Sequence, residues 1–151
     1  MQRSILKKRI RARLSSTAIV LRAYANQVFA DNGFEVTPEQ YTILSLIADN
    51  EELYQRQLSE ITLKDRANIS RIIKILEDKG LVERVTGSNG RQIFKVKATE
   101  KGILLHKKIE PIGEKIRNMT IEGISDIDLE SFLETLDKMF LNIREKVNLQ
   151  I

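Results

Sequence analysis

Arg66, Asn68, Ser70, Arg71 and Lys74 crowd into a single short stretch, and Arg91 follows in a segment rich in turn residues. Side chains of these types form hydrogen bonds and ion pairs with polyanions. Arginine pairs with guanine and asparagine with adenine through two hydrogen bonds each, and an alanine methyl such as that of Ala67 can contact a thymine methyl. Such chemistry needs a rigid element to hold the donors on one face, and the surrounding residues supply one.

Asp65 is placed to accept amide protons of a helix that begins just after it. Ile69, Ile72, Ile73 and Leu76 then recur at helical spacing and predict a helix over about 66–79 with these residues inward. Gly80 fits a left-handed stop. Leu81 to Val85 is rich in strand formers, Ser88-Asn89-Gly90 is a turn signal, and Gln92 to Ala98 alternates. Phe94, Val96 and Ala98 fall on one face of that second strand, and Arg91, Ile93, Lys95 and Lys97 on the other. Thr99 is placed to cap the next helix. A capped basic helix followed by a two-stranded wing is the sequence pattern of a winged helix that reads DNA.

The preceding elements fit. Residues 5–30 predict a long helix striped by Leu6, Ile10, Leu14, Ala18, Leu21, Ala25 and Val28, ended by Asp31-Asn32-Gly33. Thr37-Pro38-Glu39-Gln40 is a start signal, with Thr as cap and Gln three residues on. Tyr41, Leu44, Ile47 and Ala48 form the expected buried face. A short helix over Gln55–Thr62 turns Leu58 and Ile61 inward, and the amides at its start, with Gln55, Arg56 and Gln57, favour a phosphate. A long helix from Glu100 to about Met119 contains Pro111, which is expected to kink or disturb it. Ser125 and Asp128 cap a last helix over about 126–148, where apolar residues repeat every seven positions.

Composition narrows the function. The chain has 151 residues, 42% hydrophobic and 30% charged, with a net charge of +4. That suits one soluble domain able to bury a core. No apolar run approaches membrane-spanning length and the basic start lacks the pattern of a signal peptide, so the cytoplasm is the expected compartment. Cysteine is absent and His106 is the single histidine, so no metal or cofactor is expected. Aromatic residues are 5% of the chain, with no Trp, which argues against single-strand binding by base stacking. Charge is segregated. The first thirty residues carry Arg3, Lys7, Lys8, Arg9, Arg11, Arg13 and Arg22 and no acid, while Glu122 to Glu145 is mostly acidic. Basic segments suit a polyanion partner or, equally, a solvated surface. No P-loop, dinucleotide turn or nucleophile elbow is present, so an enzyme is not expected.

The layout resembles the MarR family of dimeric winged helix-turn-helix transcriptional regulators. The resemblance rests on Asn68-Ile69-Ser70-Arg71, on Leu76-Glu77-Asp78-Lys79-Gly80-Leu81-Val82-Glu83-Arg84 and on Val96-Lys97-Ala98-Thr99-Glu100-Lys101-Gly102, in that order and spacing. It implies a mainly α fold with a small β-wing, in a single domain over 1–151. Residues 35–99 would form the DNA-binding part, with 1–34 and 100–151 as dimerisation helices. It also implies a homodimer on a palindromic operator, usually as a repressor, with a small aromatic or anionic effector; the alternative is a ligand- or protein-binding dimer without specific DNA binding. The implied DNA-binding residues are Gln55, Arg56, Gln57, Arg66, Ala67, Asn68, Ser70, Arg71, Lys74, Arg91 and Lys95. Arg66, Asn68 and Ser70 lean toward bases, Arg71 and Lys74 toward phosphates, and Arg91 toward the minor groove. Where the family's wing commonly reads Asp-Arg-Arg, this chain reads Gly90-Arg91-Gln92. Arg22, Tyr24, Phe29 and Tyr41 are candidate effector-lining residues, with core packing the competing role for Phe29 and Tyr41.

Overall fold

The computed structural model describes residues 2–86 and 94–148; the expected turn at Ser88-Asn89-Gly90, Arg91 and Gln92 lie outside the described residues. Among the described residues there are six helices and one three-stranded antiparallel sheet, in the order α1 (Gln2–Asp31), α2 (Pro38–Ala48), β1 (Leu53–Tyr54), α3 (Gln55–Thr62), α4 (Arg66–Asp78), β2 (Val82–Thr86), β3 (Phe94–Ala98), α5 (Glu100–Ile121) and α6 (Asp126–Arg144). None of these helices is long and apolar enough to cross a membrane. The chain forms two compact units, residues 1–42 and 43–151, whose boundary falls inside α2.

In the first unit, α1 ends where Gly33 takes a φ of 64°, and the Phe34 amide donates back to the Phe29 carbonyl at 3.1 Å. The Phe29 ring meets Phe34 edge-on at 5.3 Å and Tyr41 at 5.7 Å between centroids. Thr37 and Gln40 form a reciprocal capping box, each backbone amide donating to the other's side-chain oxygen at 3.2 Å.

The second unit holds the sheet, in the order β1-β3-β2, with Leu53 opposite Val96 and Arg84 opposite Val96 on the other side. Its core is built from Ile43, Leu44, Ile47, Leu53, Leu58, Ile69, Ile73, Leu76, Leu81, Val96 and Ile109, all buried. The pair of strands expected from the sequence is thus a trio, since β1 adds an edge to β3. Ile43, outside the expected stripe of α2, is fully enclosed, whereas Ala48 is half-buried. Ile61 was expected inward but is 55% exposed. Gln55, Leu58, Ser59 and Thr62 form the inward stripe of α3 at spacings of three and four, and Ile61 lies about 100° off Thr62. Helix α5 runs without interruption through Pro111 to Ile121. Helix α6 ends at Arg144, four residues before the expected limit at 148, with Glu145 as its cap.

Candidate nucleic-acid interface

Helix α4 begins at the cap read from the sequence: the Asp65 carboxylate accepts from the Asn68 amide at 2.7 Å. It ends in a left-handed Gly80 (φ 68°), with the Leu81 amide donating to the Leu76 carbonyl at 2.9 Å. Between these stops, Ile69, Ile72, Ile73 and Leu76 are all buried. The opposite face is therefore fixed toward solvent. Ala67, Arg71 and Lys74 lie within about 60° of arc on it, with Ser70 half-buried at its edge. Arg66, in the first turn, is also exposed.

Asn68 stands apart from this face. At about 100° per residue it lies about 40° from Ile72, on the flank of the apolar stripe. Its side-chain oxygen Oδ1 is buried with no hydrogen-bond partner among the described residues. A two-bond contact with adenine needs that oxygen exposed, so in this rotamer Asn68 does not present it to a base.

The flanking elements hold α4 in place. The Gln55 amide Nε2 donates to the Arg66 carbonyl at 3.3 Å, tying the start of α3 to that of α4. Gln57 is occupied in capping α3, its Oε1 accepting from the Tyr54 amide at 2.8 Å. Arg56, largely exposed, bridges to Glu60 at 2.7 Å on its own helix. The turn between α3 and α4 forces Leu63 to a φ of 55°, an uncommon conformation for a residue with a β-carbon. At the other end of α4, Arg84 Nε of β2 lies 3.1 Å from Glu77 Oε2, Lys101 Nζ donates to the Lys79 carbonyl at 2.8 Å, and Thr99 Oγ1 donates to the Gly80 carbonyl at 2.7 Å.

Besides Arg56, Lys74 and Lys95 are already paired. Lys74 donates to Asp78 at 2.6 Å, and that hydrogen bond raises the ammonium pKa above its ordinary value. Lys95 donates to Glu52 and lies 5.3 Å from the Tyr54 ring centroid; the bond to Glu52 raises its pKa as well. Both remain charged at neutral pH. Lys97 pairs with Glu83 at 2.9 Å across the strands. Arg71 carries no ion pair among the described residues, which leaves its guanidinium available to a phosphate or a base.

The candidate effector residues divide into two kinds. Phe29 and Tyr41 are buried in the aromatic cluster, while Arg22 and Tyr24 are exposed on α1. A polar contact that the sequence did not suggest joins α2 to α5: His106 Nε2 lies 3.1 Å from Asp49 Oδ1, with the imidazole largely enclosed. No spacing rule could have found it, since fifty-seven residues separate the partners.

Residues 34–92 match the family model described as MarR family. The uncharacterized HTH-type transcriptional regulator YybA of Bacillus subtilis (strain 168) is 28% identical over 126 residues, covering 83% of this chain and 83% of that protein. The crystal structure of the transcriptional regulator SlyA superposes with a TM-score of 0.80 at 25% identity, covering 91% of this chain and 95% of that one. A MarR family transcriptional regulator from Listeria monocytogenes, solved in complex with 26mer DNA, gives a TM-score of 0.79 at 25% identity and covers 89% of each chain.

Proposed function

We propose that the chain is a transcriptional regulator of the MarR type and that it binds double-stranded DNA sequence-specifically as a homodimer. The observation that carries this reading is the exposed face of α4. Ala67, Arg71 and Lys74 face solvent because Ile69, Ile72, Ile73 and Leu76 are locked into the core behind them. A helix so held is suited to enter a major groove and present its first turns to base edges.

In this reading residues 1–151 act as a single MarR-like domain. Residues 35–99 bind DNA, and 1–34 and 100–151 dimerise. Arg91 at the wing enters the minor groove, and Arg56 and Lys97 follow the phosphate backbone. The dimer represses from a palindromic operator in the cytoplasm, and a small aromatic or anionic effector releases it. The need for a second copy is supported by α6, in which no residue is buried although Phe132, Leu133, Phe140, Leu141 and Ile143 are all apolar. A helix of this length has little stability alone in water and depends on packing.

Selection of the purified protein against a random duplex library tests the reading. A two-fold symmetric motif with half-sites about one helical turn apart is the expected result. Binding only at low salt with no enriched motif overturns it and leaves a ligand- or protein-binding dimer.

A further inference from the structure

Arg84 lies where a charge is costly. In β2 it pairs opposite Val96 and follows Val82 by two residues, and both valines are buried, so its side chain leaves the sheet on the face turned to the core. There it meets α4. Its Nε, itself buried, lies 3.1 Å from Glu77 Oε2, and the Arg84 and Glu77 side chains are only 30% and 24% exposed. The other face of the same strand carries an ordinary exposed pair, Glu83 with Lys97. Withdrawing two opposite charges from water costs about as much as their attraction returns, and an apolar pair of similar volume often does as well for stability. What the ion pair adds is direction: a planar guanidinium facing a carboxylate fixes a distance and an angle that apolar packing leaves open. The pair also spans a corner. Only Lys79, Gly80 and Leu81 join α4 to β2, with Gly80 left-handed. Thr99 and Lys101 hold the corner itself, and Glu77 with Arg84 ties the strand to the helix beyond it. Lys74 on the solvent face, whose pKa Asp78 raises most, feels both partners as well, Glu77 raising it and Arg84 lowering it.

Resting on the DNA-binding reading above, we propose that the Glu77–Arg84 ion pair is a positioning device that sets the tilt of the wing strands against α4. With the pair formed, the groove-entering helix and the wing meet the duplex at one fixed separation. Without it the strands swing about the corner at Gly80, and each binding event must fix that angle at a cost in affinity. The bases preferred by α4 stay the same, because its exposed face is untouched.

Three variants test it: Glu77→Leu with Arg84→Met, the reversal Glu77→Arg with Arg84→Glu, and Glu77→Gln alone. Thermal unfolding should find the apolar pair as stable as wild type. Hydrogen exchange, read without DNA, should find its β2 amides about tenfold faster than in wild type, with those of α4 unchanged. On the operator selected from the random library it should bind about tenfold more weakly, with the same preferred bases. The reversed pair should recover both exchange and affinity. Wild-type exchange and affinity in the apolar pair overturn the proposal. So does weakened affinity with unchanged β2 exchange, which assigns the charges to the duplex itself, and so does a reversed pair no better than the apolar one. If the apolar pair fails to fold, Glu77→Gln decides: faster β2 exchange in a folded chain supports the proposal, and wild-type exchange overturns it. A wild type that selects no operator overturns the DNA-binding reading alone, since the β2 amides still report whether the pair holds the strand.

Discussion

Gly102 packs directly on the backbone carbonyl of Leu81, so closely that a β-carbon at position 102 would overlap the Leu81 oxygen and crowd the Leu44 side chain. The same carbonyl accepts from the Thr99 amide at 3.1 Å, and Thr99 Oγ1 caps α5 by accepting from the Gly102 amide at 3.1 Å. The glycine therefore sets how near the start of α5 can come to the strand that follows α4.

Gly102→Ala is expected to lower stability by about 1–3 kcal/mol, the usual cost of overpacking. In an unconstrained helix the same change stabilises by up to about 1 kcal/mol, so the sign alone discriminates. Thermal unfolding reads it; an unchanged or raised midpoint means that α5 shifts freely.

Ser59 is fully buried, and its hydroxyl has no hydrogen-bond partner among the described residues. Ser59→Ala removes an unpaired polar atom and improves helix propensity. Urea unfolding should find the variant as stable as wild type or more so. A clear loss would point to a bound water holding the hydroxyl.

Arg71 and Asn68 are expected to respond differently. Arg71 is exposed on the open face of α4, so Arg71→Ala should weaken DNA binding and, if one phosphate is neutralised, flatten the salt slope by about one counterion. Asn68→Ala should lower affinity evenly across operator variants, because its Oδ1 is buried. Fluorescence anisotropy over several salt concentrations measures both. Loss of preference at a single base pair in Asn68→Ala would show that the side chain rotates out to read DNA.

Asp78 holds Lys74 on the same face at 2.6 Å and places a negative charge beside the proposed groove contact. Asp78→Asn should strengthen binding at low salt, with the gain fading as salt screens the charges. Weaker binding would mean that the pair positions Lys74.

Much of this architecture was legible before any coordinates, for identifiable reasons. The Asp65 cap, the Thr37–Gln40 box and the Gly80 stop are local chemistry, and each is found where the residues predict it. The isoleucine stripe of α4 is periodic, and period is readable. Strand β1 escaped because its two residues carry no period and exist as a strand only through pairing with Val96 and Lys95. Ile61 misled because its type outweighed its angular position on a short helix. Helix α5 continues through Pro111, a residue that gives up a backbone hydrogen bond. The pairings of Lys74, Lys95 and Arg84 are set by rotamers and by strands meeting across the chain. Residue type alone reports the charge and leaves out the partner.

The clamp at the end of α4 has a mechanical consequence. Lys101 and Thr99, from the root of α5, grip the Lys79 and Gly80 carbonyls, so the two helices share one joint. Helix α5 has 22 residues, an arm of about 33 Å, against about 20 Å for the 13 residues of α4. A tilt of about 5° at the joint sweeps the far tip of α5 through about 3 Å and the tip of α4 through less than 2 Å, by simple proportion to those lengths. The long helix is a handle. If the two helices turn as one body about this joint, a grip on the distal end of α5 has the longer lever arm.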